Sequence, residues 1–178
     1  MKFNKTGIKN VYKIKRYIYS DERGDFSRIF CKKIFSKYSK KNLSVQTNIC
    51  INKKKFTFRG FHFQEKPYHE DKIISCINGE ALDFVVDFRK KSKTYLKVLK
   101  FKISKKNGIS IFVPRGCAHG YLTLTNNCII VYNVSNFYNN KKSKGIRFND
   151  PALNINWKIK PKIISEQDMS WPLLKKKK

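Results

Sequence analysis

Residues 56–64 read FTFRGFHFQ, and the reading of this stretch decides the fold. Aromatic side chains at this density suit a pleated, half-buried surface, so the segment is predicted to be a β-strand. On a regular strand Gly60, His62 and Gln64 share one face, and Phe61 and Phe63 share the other. A polar stripe backed by phenylalanines has two readings: a strand lining a wet cavity, or an antiparallel strand with one solvated face. The stretch alone leaves both open.

Similar runs recur on either side, separated by turn signals. They include YKIKRYIYS (12–20), NLSVQTNICI (42–51), KIISCI (72–77), ALDFVVDF (81–88), YLKVLKFKIS (95–104), GISIFVP (108–114), GYLTLT (120–125) and CIIVYNVS (128–135). Asn78–Glu80 reads as a tight turn because Asn-Gly accepts positive φ cheaply, and KKNG ending at Gly108 reads as another. The best helix candidate is SRIFCKKIFSKY (27–38), where apolar residues recur near 3.6. Many short strands and almost no helix predict an all-β chain, a jelly-roll sandwich or barrel with short peripheral helices. With 178 residues and no internal repeat or linker, the chain is read as a single domain over 1–178, with 175–178 a frayed lysine tail.

Composition narrows the function classes. The chain is 40% hydrophobic and 14% aromatic, which is globular rather than disordered. No apolar run approaches the ~20 residues needed to cross a bilayer. The N-terminal stretch has positive charge without an apolar segment of signal-peptide length, so a cytoplasmic location and no membrane partner are expected. Five cysteines (31, 50, 76, 117 and 128) are odd in number and widely spaced, which predicts reduced thiols, mostly buried, and no structural metal. The net charge of +28 fits a nucleic-acid binder. Against that, only seven of the 40 basic residues are arginine, they are spread along the chain, and no nucleic-acid-binding signature occurs. A solvated lysine coat and no specific nucleic-acid partner are the expectation.

Three histidines are few enough to weigh singly. His62 lies on the polar face of its strand, His69 in the charged loop PYHEDK is read as exposed, and His119 lies in VPRGCAHGYLTL, where a turn feeds a new strand. Asp83 and Asp87 share a strand face and are read as structural, Asp83 as a partner that could orient His119.

The ordered set FRGFHFQ, GEALDFVVDFR, VPRGCAHGY, VYNVSNFY and GIRFNDPALNINW resembles the dTDP-4-dehydrorhamnose 3,5-epimerase family of cupins, with DERGDF and IISEQDMSWPLL matching near the ends. The resemblance covers roughly residues 5–174. It implies a dimeric jelly roll that acts on nucleotide-linked 4-keto-6-deoxy sugars with no cofactor. Inverting a carbon beside a ketone needs a base on one face, an acid on the other, and a donor near the keto oxygen as the enolate forms. The resemblance makes His62 the base, Asp168 its carboxylate partner, Tyr132 the proton donor and Lys72 the cation near the keto oxygen. It also assigns Arg23, Gln46, Asn48 and Arg59 to the nucleotide sugar, His119 to a hydrogen bond with substrate, and Tyr138 to stacking on the base. Regular alternation sets Arg59 and His62 on opposite faces, a conflict that a bulge at Gly60 would remove.

Three positions depart from the family pattern: Arg28 and Ser143 stand where glutamates are expected, and Gln167 where a lysine is. All three belong to the nucleotide-binding part, so the nucleotide and sugar are left open. Two other readings remain at this point, a non-catalytic sugar-nucleotide-binding cupin and a basic nucleic-acid-binding protein.

Overall fold

In the computed structural model, residues 1–39 and 44–174 are described. The start of the expected strand 42–51 and the lysine tail 175–178 lie outside them. Among the described residues thirteen strands follow in chain order: β1 (Lys2–Lys5), β2 (Tyr12–Lys15), β3 (Tyr19–Asp21), β4 (Gly24–Phe26), β5 (Gln46–Asn52), β6 (Phe58–Gln64), β7 (Lys72–Asn78), β8 (Glu80–Asp87), β9 (Val98–Ser104), β10 (Ile109–Val113), β11 (Cys117–Thr123), β12 (Cys128–Val134) and β13 (Ser143–Gly145). Two short helices, α1 (Lys32–Phe35) and α2 (Glu166–Ser170), lie at the periphery. The fold is the expected all-β cupin-type sandwich. A six-stranded sheet, β1-β2-β10-β7-β12-β5, faces a five-stranded sheet, β13-β6-β11-β8-β9, and β3-β4 forms a separate hairpin.

Alternation along the strands builds three apolar layers. Between the sheets lie Ile74, Ile111 and Ile130 from one side and Val85, Ile103 and Tyr121 from the other. The back of the five-stranded sheet carries Phe58, Phe61, Phe84 and Leu122, covered by Ile146, Leu153 and Trp157 of the C-terminal segment. The back of the six-stranded sheet carries Ile14, Ile73 and Phe112, covered by Phe35 of α1 with Phe3 and Phe30. Burying each large side chain contributes roughly 1.5–3 kcal/mol.

The turns at Gly79 (φ +74°) and Gly108 (φ +57°) join β7 to β8 and β9 to β10 as predicted. The helix is a correction, since only Lys32–Phe35 of the expected 27–38 is helical. Cys31 at its start makes no side-chain cap, no acidic residue lies in the first turn, and Lys32 and Lys33 sit where the helix dipole disfavours cations. The strands that the sequence reading missed, β1, β4 and β13, are only three or four residues long, too short to display a period. His69, expected exposed, is half-buried.

Candidate active site

The sandwich is open between its sheets at one end, where a pocket of about 230 Å³ is lined from both sides. The six-stranded sheet supplies Gln46, Asn48 and Cys50 from β5, Lys72 from β7 and Tyr132 from β12; the five-stranded sheet supplies Arg59, His62 and Gln64 from β6 and His119 and Tyr121 from β11. The cavity reading of the β6 stretch therefore holds.

A bulge in β6 makes this lining possible. His119 pairs with His62 and Tyr121 with Arg59, so three steps along β6 match two along β11. Phe58 and Phe61 fall in one apolar layer although three apart, and Arg59 and His62 share the pocket for the same reason. Gly60 takes up the extra residue with φ +137°, and a Cβ there would stand 2.5 Å from the Gly120 Cα. Only glycine fits that backbone and that approach.

His62 Nε2 lies 2.6 Å from Asp168 Oδ1. Asp168 is buried on α2, which Ser165 caps by accepting the Asp168 amide at 3.1 Å. Its Oδ2 accepts the Gly60 amide at 3.2 Å. Burial alone would raise this carboxyl, but the hydrogen bonds from His62 and the Gly60 amide outweigh it and hold Asp168 below the usual carboxylate range. With Nε2 committed to the carboxylate, Nδ1 is the imidazole nitrogen left for another partner.

Tyr132 stands on the opposite sheet. Burial, then the neighbouring Cys50 and Glu70, push its phenol up to about 12. Lys72 Nζ lies 3.1 Å from Glu70 Oε1 and donates to the His62 carbonyl at 3.4 Å. Pocket walls of this kind offer a carboxylate-backed imidazole, a phenol that keeps its proton at neutral pH and an ammonium, which is the set that enolisation needs.

The remaining expected residues divide. Gln46 donates to Asn48 Oδ1 at 2.9 Å, and its Oε1 accepts the Tyr138 amide at 3.3 Å. The Tyr138 ring is exposed at the rim. Arg59 Nε donates to Asn52 Oδ1 at 3.0 Å. His119 Nε2 lies 2.6 Å from Asp83 Oδ2, as the structural reading of Asp83 anticipates. Burial pushes the Asp83 carboxyl up, and the bond to His119 does not offset it. Asp87, its neighbour on β8, instead accepts from Arg89, Ser92 and Thr94. Of the three departures, Ser143 and Gln167 line the pocket and Arg28 does not.

Arg23 stands apart from the other expected residues. It lies on the β3–β4 hairpin, 86% exposed and bonded to Asp21 at 2.6 Å, and it is not among the residues lining this chain's pocket. The hairpin is held near the β9–β10 turn: the Arg16 amide donates to the Gly108 carbonyl at 2.8 Å, and its guanidinium donates to Ser27 just beyond β4.

Three residues were missed. Glu70 was read as part of a charged loop, yet Gln64 Nε2 donates to its Oε2 at 3.0 Å inside the pocket. Asn52 holds Arg59 while donating to the Cys128 carbonyl at 2.9 Å. Trp171 lies over β13, where a Cβ on Gly145 would run into the indole nitrogen. Only Glu70, two residues before Lys72, carried a signal in the sequence.

Among the described residues all five cysteines are free, and no group of three or more His, Cys, Asp or Glu side chains could hold a metal. No helix among them is long and apolar enough to cross a membrane.

The family described as dTDP-4-dehydrorhamnose 3,5-epimerase matches residues 5–176. The Sinorhizobium fredii protein of that name is 37% identical over 175 residues, 98% of this chain and 90% of that protein. The Bacillus anthracis enzyme of that name, solved with TDP and PPi bound, superposes with a TM-score of 0.90 at 32% identity, over 97% of this chain and 99% of that one. The Legionella pneumophila dTDP-6-deoxy-D-glucose-3,5-epimerase, solved in complex with dTDP-4-keto-L-rhamnose, gives a TM-score of 0.90 at 28% identity, covering 97% and 92%. Fold, pocket and sequence converge: the chain belongs to the dTDP-4-dehydrorhamnose 3,5-epimerase family of isomerases.

Proposed function

We propose that this protein inverts C3, C5 or both of a nucleotide-diphospho-4-keto-6-deoxyhexose, inversion at both converting dTDP-4-dehydro-6-deoxy-D-glucose to dTDP-4-dehydro-L-rhamnose. The observation that carries the reading is the pair His62 and Tyr132, which line one pocket from opposite sheets with Asp168 behind the histidine. His62 Nδ1 takes the proton from the carbon beside the ketone, and the C–H electrons pass to the keto oxygen. The Lys72 ammonium offsets the enolate charge. Asp168 stabilises the imidazolium, and Tyr132 delivers a proton to the other face of the carbon. Exchange with water then resets both groups.

Arg59, Gln46 and Asn48 lie where they can receive the diphosphate and its neighbouring sugar, Arg59 by its planar fork. His119 offers a hydrogen bond to the bound sugar, and Tyr138 at the rim offers a face for the base. We assign Arg23 to the pocket of a second copy: its hairpin stands clear of its own pocket and presents Tyr19 and Phe26 to the outside. A cytoplasmic homodimer follows from this reading.

Proton NMR of dTDP-4-keto-6-deoxyglucose incubated with the protein in D₂O tests it. Deuterium entering at C3 and C5 together with the inverted product is expected, and entry at one position identifies a single-centre epimerase. Tyr132→Phe should lower formation of the inverted product by about 10²–10⁴. No exchange with this sugar or with a panel of other nucleotide sugars would leave a sugar-nucleotide-binding protein.

A further inference from the structure

Glu70 is the only carboxylate among the described residues lining the pocket. A negative charge there repels the diphosphate that the pocket is proposed to hold, so its presence asks for a compensating role. Its contacts name one. Glu70 Oε1 lies 3.1 Å from Lys72 Nζ, with both side chains only 10% exposed. Its Oε2 accepts from Gln64, and Gln64 is itself fixed by the Tyr68 and Phe137 carbonyls and the Asn139 amide. The carboxylate is thus held on a rigid mount.

An ammonium has three N–H donors. Lys72 directs one to Glu70 and one to the His62 carbonyl, which leaves the third for the pocket. Arg59, His62, His119 and Tyr132 line the same space, and none supplies a counter-charge at neutral pH. Without a partner, an ammonium in so enclosed a place swings toward water.

We propose that Glu70 is a positioning residue for the epimerisation, fixing the Lys72 ammonium with its free N–H aimed at the enolate oxygen while weakening the hold on the nucleotide. The inference rests on the epimerase reading and goes beyond it. It separates two quantities that a merely structural role would move together.

The test uses the full chain as wild type, Glu70→Ala and Glu70→Gln, with kcat from deuterium entry and dTDP affinity from calorimetry. Glu70→Ala is expected to lower kcat ten- to hundredfold, the order of loss from a misplaced catalytic group, while dTDP binds as tightly or several-fold more tightly. Glu70→Gln keeps one oxygen for Lys72, loses the charge and turns an amide N–H toward that of Gln64, so its kcat falls between. An unchanged kcat in Glu70→Ala overturns the proposal. A lower kcat with dTDP binding weakened to match also overturns it, since that marks a scaffold residue. A wild type that binds dTDP but exchanges no deuterium overturns the epimerase reading and this inference with it.

Discussion

His62 and His119 are cross-strand partners on β6 and β11, and each has its Nε2 2.6 Å from a carboxylate. The two pairs nevertheless differ in nearly everything that governs chemistry. The His62 side chain is 40% exposed toward the pocket, and that of His119 only 8%. Asp168 receives the Gly60 amide on its second oxygen, whereas the second oxygen of Asp83 is buried without a hydrogen bond. One carboxyl is accordingly held low and the other pushed high. An ionised carboxylate behind an open imidazole stabilises the imidazolium that a base becomes. A carboxyl that resists ionisation behind an enclosed imidazole fixes a side chain in place. Distance alone does not distinguish the two pairs; the second oxygen and the open edge of the ring do.

The largest effect that would test this contrast is on rate. His62→Ala should lower kcat by about 10²–10⁴ with the fold retained, and His119→Ala by no more than about tenfold, the loss of one substrate hydrogen bond. Equal losses in steady-state assays would erase the distinction. Stability should invert the order. His119→Ala leaves Asp83 buried and unpartnered and should cost about 1–3 kcal/mol in urea unfolding, while His62→Ala, at the open pocket wall, should stay within about 1 kcal/mol.

The smallest effect is on acid sensitivity, and it has opposite signs in the two pairs. Asp168, held low, contributes stability above its unfolded pKa that is lost as pH falls through the folded value. Asp83, held high, binds its proton more readily in the folded chain, so acidification favours folding there. Between about pH 5 and pH 3, Asp168→Asn should flatten the pH dependence of the urea midpoint and Asp83→Asn should steepen it. Slopes of the same sign in both variants would show that the carboxyls are equivalent.

Much of this was legible in the sequence because the relevant signals are local. Aromatic and β-branched runs between glycine turns marked the central strands, and Gly60 between Arg59 and His62 marked the bulge that brings both to one pocket. Asp168 was legible through the family motif, not through any periodicity. What stayed hidden depends on contacts that only the folded chain makes. Glu70 looks like one more charge in PYHEDK until Lys72 and Gln64 close around it. The helix over 27–38 had the right apolar spacing, but Cys31 gives it no side-chain cap, Lys32 and Lys33 stand at its start, and beyond Phe35 the chain continues only as turns to Ser39. Arg23 carried a motif signal without saying whose pocket it serves.

Trp171 has a consequence of another kind. The chain contains two tryptophans. Trp157 is packed among Phe58, Phe84 and Phe148 on the back of the five-stranded sheet, with its indole N–H given to the Phe148 carbonyl, and does not line the pocket. Trp171 lies against the Gly145 backbone at the pocket wall. A nucleotide sugar entering the pocket changes the surroundings of one indole and leaves the other as an internal reference. The protein thus carries its own optical gauge of occupancy, readable by intrinsic fluorescence in unmodified protein and assignable to Trp171 by comparison with Trp157→Phe.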